Sequence, residues 1–259
     1  SVTGGNQYIG GVFGYANAGP GAANWSSTAN VTGGSAYVGG VAGKTDASDL
    51  TNVHSTAVSV TQLGGNYSGG LFGYLSVTSL TNASAVADVQ AGSSYAGGLI
   101  GHAFGAISNV YATGSLTAPS GYLGGLIGQA SAGSVTGAHA TGNVNGSNSG
   151  GSTYVGGLIG YADTSSVSDA YATGAVRGTS NVGGLIGRAD RDVSNTRASG
   201  NVTATANDAG GLIGWFNGGY TVKDSSAFNG AVTASVSGVG YVGGLIGLVD
   251  DVNAKVLGS

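Results

Sequence analysis

The 259-residue chain has no cysteine, no methionine and no glutamate, and only 2 prolines. Without cysteine, disulfides and thiolate metal sites are excluded. Charge is scarce as well: 7% of residues, with a net charge of −4 and all 11 acids aspartate. The 7 basic residues are scattered, which argues against nucleic acid as a partner. Apolar runs are short, because glycine, serine or threonine interrupts every one. None approaches the ~18 residues of a membrane-spanning helix. A transmembrane barrel needs alternating strands of about ten residues, and here a Gly-Gly pair sits inside each apolar stretch. No signal peptide is visible, since Ser1 already lies inside a repeat pattern; either a leader was removed or the chain is an excerpt.

What the chain has in excess is glycine, 54 residues of it. Disordered linkers are glycine-rich too, but here aliphatic residues return at fixed positions and can bury a core. The glycines are organised around nine copies of one block, of which Tyr154-Val-Gly-Gly-Leu-Ile-Gly160 is typical. The first glycine of each pair falls at 10, 39, 69, 97, 124, 156, 183, 210 and 243, in steps of 27 to 33 residues. A period of that length, held from end to end, means a repeat architecture. It predicts one repeat domain over 1–259 with no internal boundary.

A second block follows each Gly-Gly block, as in Val167-Ser-Asp-Ala-Tyr-Ala-Thr-Gly-Ala-Val176. Internal Gly-Gly and the absence of 3–4 spacing disfavour helix. Alternation favours strand. Ala170, Ala172, Gly174 and Val176 are placed inward, and Asp169, Tyr171 and Thr173 outward. The fold class expected is all-β: a single elongated β-solenoid, or β-helix, of about nine coils with 27–33 residues each. Coils pairing at about 4.8 Å would make a rod roughly 43 Å long.

Stacking turns alignment columns into ladders. One runs Asn24, Asn52, Asn82, Asn109, Asp169, Asn195 and Asp224, broken by Gly137. Asn there is expected to turn the chain and bond its own backbone and the coil next door. Another is Ala85, Ala112, Ala140, Ala172, Ala198 and Ala227, a tight interior. A third runs Thr28, Thr56, Thr113, Thr141 and Thr173, continued by Ser199 and Asn229. The Leu column (Leu71 to Leu245) and the adjacent Phe/Ile column (Phe13 to Ile246) are both apolar. Neighbouring strand residues point to opposite faces, so the chain bends between them or one stripe lies exposed. Glycine on both sides of Leu-Ile favours the bend.

The Gly-Leu-x-Gly core (Gly98-Leu99-Ile100-Gly101, Gly157-Leu158-Ile159-Gly160 and their copies), followed by an Ala-Thr-Gly block, resembles the GLUG repeat of large bacterial surface proteins. Adhesin-like proteins and the non-catalytic part of IgA-cleaving metallopeptidases carry it. The resemblance implies an extracellular or cell-surface location and a structural or adhesive role. No HExxH occurs in this chain, so the peptidase chemistry is not carried over.

The search for chemistry yields no catalytic, cofactor or metal residues. His54, His102 and His139 are the only histidines, and a zinc site needs three or four converging ligands. Asp46 with Asp49, Asp190 with Asp192, and Asp250 with Asp251 are acidic pairs, with Arg188 and Arg191 beside the second. They read as turns with local ion pairs, leaving room only for weak Ca²⁺ at turns. Gly-Gly-x-x-Gly lacks the helix and Lys-Ser/Thr of a phosphate loop. Only Thr203-Ala-Thr205 has the Thr-x-Thr form of an ice-binding array, so that reading ranks below the others.

No cap is visible at either end. Val252-Asn-Ala-Lys-Val-Leu-Gly-Ser259 aligns with Val167 to Gly174, so the last residue stops in the phase where Ser1 starts. A whole number of coils with open edges stacks head to tail, a contact that does not close and builds filaments. The expected function is a non-enzymatic extracellular filament subunit, self-assembling with an adhesive or protective role. The expected junction residues are Val2, Tyr8 and Ile9 at one end and Leu245, Ile246, Val252, Val256 and Leu257 at the other. The expected partner is another copy, with cell-surface or host glycans and proteins as further candidates. The alternative is a stalk or ligand-binding segment of a larger surface adhesin.

Overall fold

A computed structural model describes residues 1–5, 7–34, 36–92, 94–146, 154–228, 230–234 and 240–259. Among them there is no helix, and every strand pairing is parallel, one coil on the next. The β-solenoid expected from the repeat is therefore what forms. Each coil contributes a strand to a nine-stranded valine sheet (Val2–Gly4, Val31–Gly33 and so on to Val232–Ala234) and to a nine-stranded tyrosine sheet (Tyr8–Gly10 to Val242–Gly243). It then runs through two further arms, such as Ile159–Ala162 and Ser166–Ala172, which in coils 3 and 4 fuse into the long strands Phe72–Ala85 and Ile100–Ala112. Coils are numbered here from each valine strand, so coil 1 begins at Ser1, coil 6 at Asn143 and coil 9 at Ala231.

The Gly-Gly-Leu-Ile-Gly block is a bend, as favoured. Leu158 and Ile159 are both 0% exposed and sit in the same apolar cluster. The hydrogen bonding shows how. Leu158 N–H and Ile159 N–H both donate to the Leu185 carbonyl, at 2.8 and 3.0 Å, and the same fork recurs at Leu71, Leu99 and Leu126. Turning the chain this sharply brings backbone against backbone. A Cβ on Gly156 would fall on the Ile159 carbonyl, and one on Gly160 would lie 2.6 Å from the Gly128 carbonyl. One on Gly157 would meet the Gly184 carbonyl and lie 2.9 Å from Ala172 Cβ. The alanine column is thus small because a glycine backbone packs onto it.

The rod has two cores side by side. The larger holds the Leu and Ile columns with Val53, Ala85, Ala112 and Ala140, while valines and alanines such as Val31, Val38, Val60 and Val155 fill the smaller, between the valine and tyrosine sheets. The inward and outward parities of the Val167–Val176 block hold: Ala170, Ala172, Gly174 and Val176 are buried, and Asp169 and Thr173 exposed. Val167 is buried too, three residues before Ala170. The intervening Asp169 has φ +51, and that left-handed residue resets the parity. Every member of its column does so: Asn24, Asn52, Asn82, Asn109, Asn195 and Asp224 have φ between +49 and +62, and Gly137 has +61.

Two readings need correction. The last strand, Lys255–Leu257, pairs Val256 with Val222, so Val256, not Val252, takes the place of Val167 and Val193. Gly258, with φ +61, then stands in the Asp224 column. Ser259 falls in the phase of Ser225, short of the phase of Ser1, and the whole-number match of coils does not hold. Val252, the first valine of this segment, is 98% exposed in a turn. In the threonine column, coil 8 supplies Phe228, whose N–H donates to Ala198 as Thr113 does to Ala85; Asn229 lies outside the described residues.

Candidate functional surfaces

The asparagine corner is a built ladder. Asn52 Nδ2 donates to Asn24 Oδ1 at 3.1 Å, Asn82 to Asn52 at 2.5 Å, and Asn195 to Asp169 at 2.5 Å. The bonds run from side chain to side chain between neighbouring coils, as expected of the ladder. Asn is suited twice over: it tolerates the left-handed region and carries both donor and acceptor.

A second edge is aromatic. Tyr8, Tyr37, Tyr67, Tyr95, Tyr122 and Tyr154 form one column, with successive ring centroids 4.7 to 5.2 Å apart. Across the bend stands a parallel column: Tyr15, Lys44, Tyr74, His102, Gln129, Tyr161, Arg188 and Trp215. Sequence reasoning missed it, although its signal was present as the residue two places after the Leu-Ile pair. The two columns interleave, as at Tyr67 and Tyr74 (5.7 Å, edge-on). Tyr37, Tyr67 and Tyr95 stack face to face, as do Tyr122 and Tyr154, while Tyr95 meets Tyr122 edge-on, so most ring faces are already occupied.

Most polar groups on this edge are paired, although Trp215 Nε1 has no partner among the described residues. Lys44 Nζ lies 3.0 Å from Asp46, and Tyr15 OH donates to the same carboxylate at 2.9 Å. Arg188 grips Asp190 through Nε and Nη2 at 2.8 and 3.0 Å and lies 4.2 Å over the Trp215 ring. Burial and the 2.7 Å bond from Tyr161 OH to Asp190 push the Tyr161 phenol upward. Burial alone drives His102 down to about 4, with Asp163 opposing. His102 Nε2 is 3.2 Å from Ser131 Oγ, which donates to Asp163 at 3.4 Å. In a nucleophilic triad the carboxylate orients the histidine; here it meets the serine, and His102 Nδ1 has no partner among the described residues. The carboxylate–histidine contact of such a triad is therefore missing here.

The other candidates separate. His54 bonds Ser84 at 2.8 Å, and His139 is sandwiched between Tyr111 and Tyr171 at 5.1 and 4.7 Å, with Arg197 over Tyr171. Burial lowers the His139 pKa. Asp49 accepts from Ser79, Asp192 from the Thr221 N–H, and Asp251 from the Asn253 N–H. Among the described residues there is no cluster of three or more His, Cys, Asp or Glu side chains placed to hold a metal ion, and no helix long and apolar enough to cross a membrane.

The expected junction residues occupy the two end coils. Ile9 is buried, Val2 half-buried and Tyr8 37% exposed; Leu245 and Ile246 are half-buried. Val256 and Leu257 lie on the outer strand of coil 9, about half exposed. Since Lys255 N–H and the Leu257 carbonyl bond to coil 8, alternation turns Val256 N–H to the free side.

The fold and its columns define a parallel β-solenoid repeat protein. Residues 92–117, 120–145, 151–177 and 178–203 match the GLUG motif, so the chain carries four consecutive GLUG repeats. No curated protein and no solved structure matches it.

Proposed function

We propose that this chain is a non-enzymatic structural rod that works outside the cell as the subunit of a filament growing head to tail, with an adhesive or protective role. The observation that carries the reading is the sameness of the coil boundaries. Gly pairs with Gly throughout the tyrosine sheet and Tyr with Tyr from coil 1 to coil 6, Val chiefly with Val in the valine sheet, and Ile with Ile in the arm from coil 4 onward. The end coils present the same groups unstacked: Val12 is 44% exposed where Leu71 is 0%, and Gly244 has open space where Gly157 touches the next coil. A copy's first coil fits that edge by strand addition. The GLUG motifs and the lack of cysteine support an extracellular setting. Itself is the partner; no cofactor enters.

Electron microscopy of the purified chain is the test. Uniform fibres with an axial repeat of roughly 43 Å, nine coils at about 4.8 Å, are expected. Gly244→Ala should leave the fold intact and abolish fibres, because its Cβ has room only while nothing stacks on coil 9. Monodisperse short rods at high concentration would overturn the reading in favour of a stalk segment continued by other coils.

A further inference from the structure

Along one lateral face the polar side chains are unoccupied and border open recesses. On the outer side of the valine sheet, coils 3 to 8 place Thr61, Gln90, Thr117, Asn145, Arg177 and Thr203 in a single register column. Their neighbours along the strands, such as Val60, Leu116, Val144 and Val202, point inward and are buried. None of the six side chains hydrogen-bonds another group among the described residues. The column one step before them is spent: Asp88, Asn143 and Asn201 each accept the N–H that opens the next coil's valine strand, at 2.8 to 2.9 Å. The face is also hollowed. An open recess of ≈ 560 Å³ runs from Ser115 to Thr203, and a second of ≈ 270 Å³ from Ser59 to Thr117; sharing Ser115 and Thr117, they form one trough along the rod.

We infer that this trough binds a neutral linear polysaccharide lying along the rod. The chemistry of the lining selects the occupant. A protein partner would need apolar or aromatic anchors, and the lining offers no aromatic side chain. A nucleic acid or acidic glycan would need a row of cations, and the only charges are Asp88 and Arg177, which balance. What the lining does offer is hydroxyls and amides, each both donor and acceptor, matching a ligand dense in hydroxyl groups. They repeat at the coil spacing of about 4.8 Å, so an extended sugar chain meets one such side chain after another. Single contacts of this kind are weak, and affinity accumulates with the number engaged. The inference goes beyond the filament reading, since a rod offers this face whether or not it polymerises.

Titrating the full chain into fluorescently labelled cellohexaose, xylohexaose and mannohexaose, followed by anisotropy, tests it. At least one should bind, more tightly than the corresponding disaccharide and independently of salt. The triple variant Thr117→Val/Asn145→Leu/Thr203→Val should lose about tenfold or more in affinity, since each lost hydrogen bond weakens binding severalfold. Thr113→Val/Thr141→Val/Thr173→Val, on a different exposed column, should bind as the parent does and controls for folding. Absence of binding to all three hexasaccharides, equal loss in both triple variants, or binding only to heparin and abolished by salt would each overturn the proposal.

Discussion

Coils 2 and 3 share the register of coils 4 to 7 without sharing their interior. Thr45 stands in the column that reads Ala103, Ala130, Ala162 and Ala189 further along. Ser55 stands where coils 4 to 7 have Ala112, Ala140, Ala172 and Ala198, and Ser68 where they have Ala96, Leu123, Val155 and Val182. All three are at most 1% exposed, and their hydroxyls have no partner among the described residues. The GLUG matches begin at residue 92, just past these substitutions. The pairing of one coil on the next is nevertheless parallel and in step on both sides of that line, apart from a register shift between Ser76 and Ser79 where coil 3 meets coil 4. Register is therefore held by the backbone devices common to all coils, the forked leucine carbonyl and the glycine contacts. The perfection of the apolar core adds stability on top.

If so, the largest effect should come from a glycine. Gly157→Ala drives a Cβ onto the next coil's backbone and should cost about 3 kcal/mol or more, read as a fall in the urea midpoint. Gly244→Ala, in the same column with nothing beyond it, should cost almost nothing; equal losses would break the argument. Next comes pH. Lys44 of coil 2 keeps its charge against Asp46, whereas His102 of coil 4, in the same column, is buried and lowered to about 4. The folded state thus binds its proton less readily than the unfolded chain, at about 6.5. His102 contributes stability that is complete above pH 6.5 and lost as pH falls toward 4. His102→Gln should flatten that part of the profile; an unchanged slope would assign it to other groups.

Smaller effects separate backbone from core. Asn195→Ala should cost about 1 to 2 kcal/mol, because alanine lacks the polar side chain that lets Asn tolerate left-handed φ and loses the ladder bond, while Asn195→Gly should recover most of the loss. Ser68→Ala and Thr45→Val should each raise stability by about 1 kcal/mol by removing an unsatisfied hydroxyl. Destabilisation by either would mean that the hydroxyl is paired after all, and the contrast between the two regions would shrink.

Much of this was legible in the chain, because columns at a fixed period carry their environment with them. The solenoid, the buried alanine column and the bend at Leu-Ile all follow from residue types recurring in phase. The left-handed corner was half legible: Asn and Gly sharing one column pointed to a turn, but the parity reset needed coordinates. The aromatic edge escaped because its second column mixes Tyr, Lys, His, Gln, Arg and Trp, which no single-residue pattern collects. The final coil was misaligned because Val252 and Val256 are equivalent to the eye and only pairing tells them apart. The free face of the valine sheet was invisible for a further reason: sequence shows which side chains point outward, but not which are already engaged.

The stacking has a mechanical side. A rod pulled by its ends is loaded along the direction in which coils are bonded, so the boundaries bear the force in series. The weakest peels first, releasing one repeat of 27 to 33 residues, about 90 to 110 Å of extended chain at ~3.4 Å per residue. The edge then uncovered is a copy of the one just lost. Such a chain would act as a load limiter, paying out length in near-equal steps at near-constant tension, and a single-molecule trace with irregular steps or one abrupt release would contradict that picture.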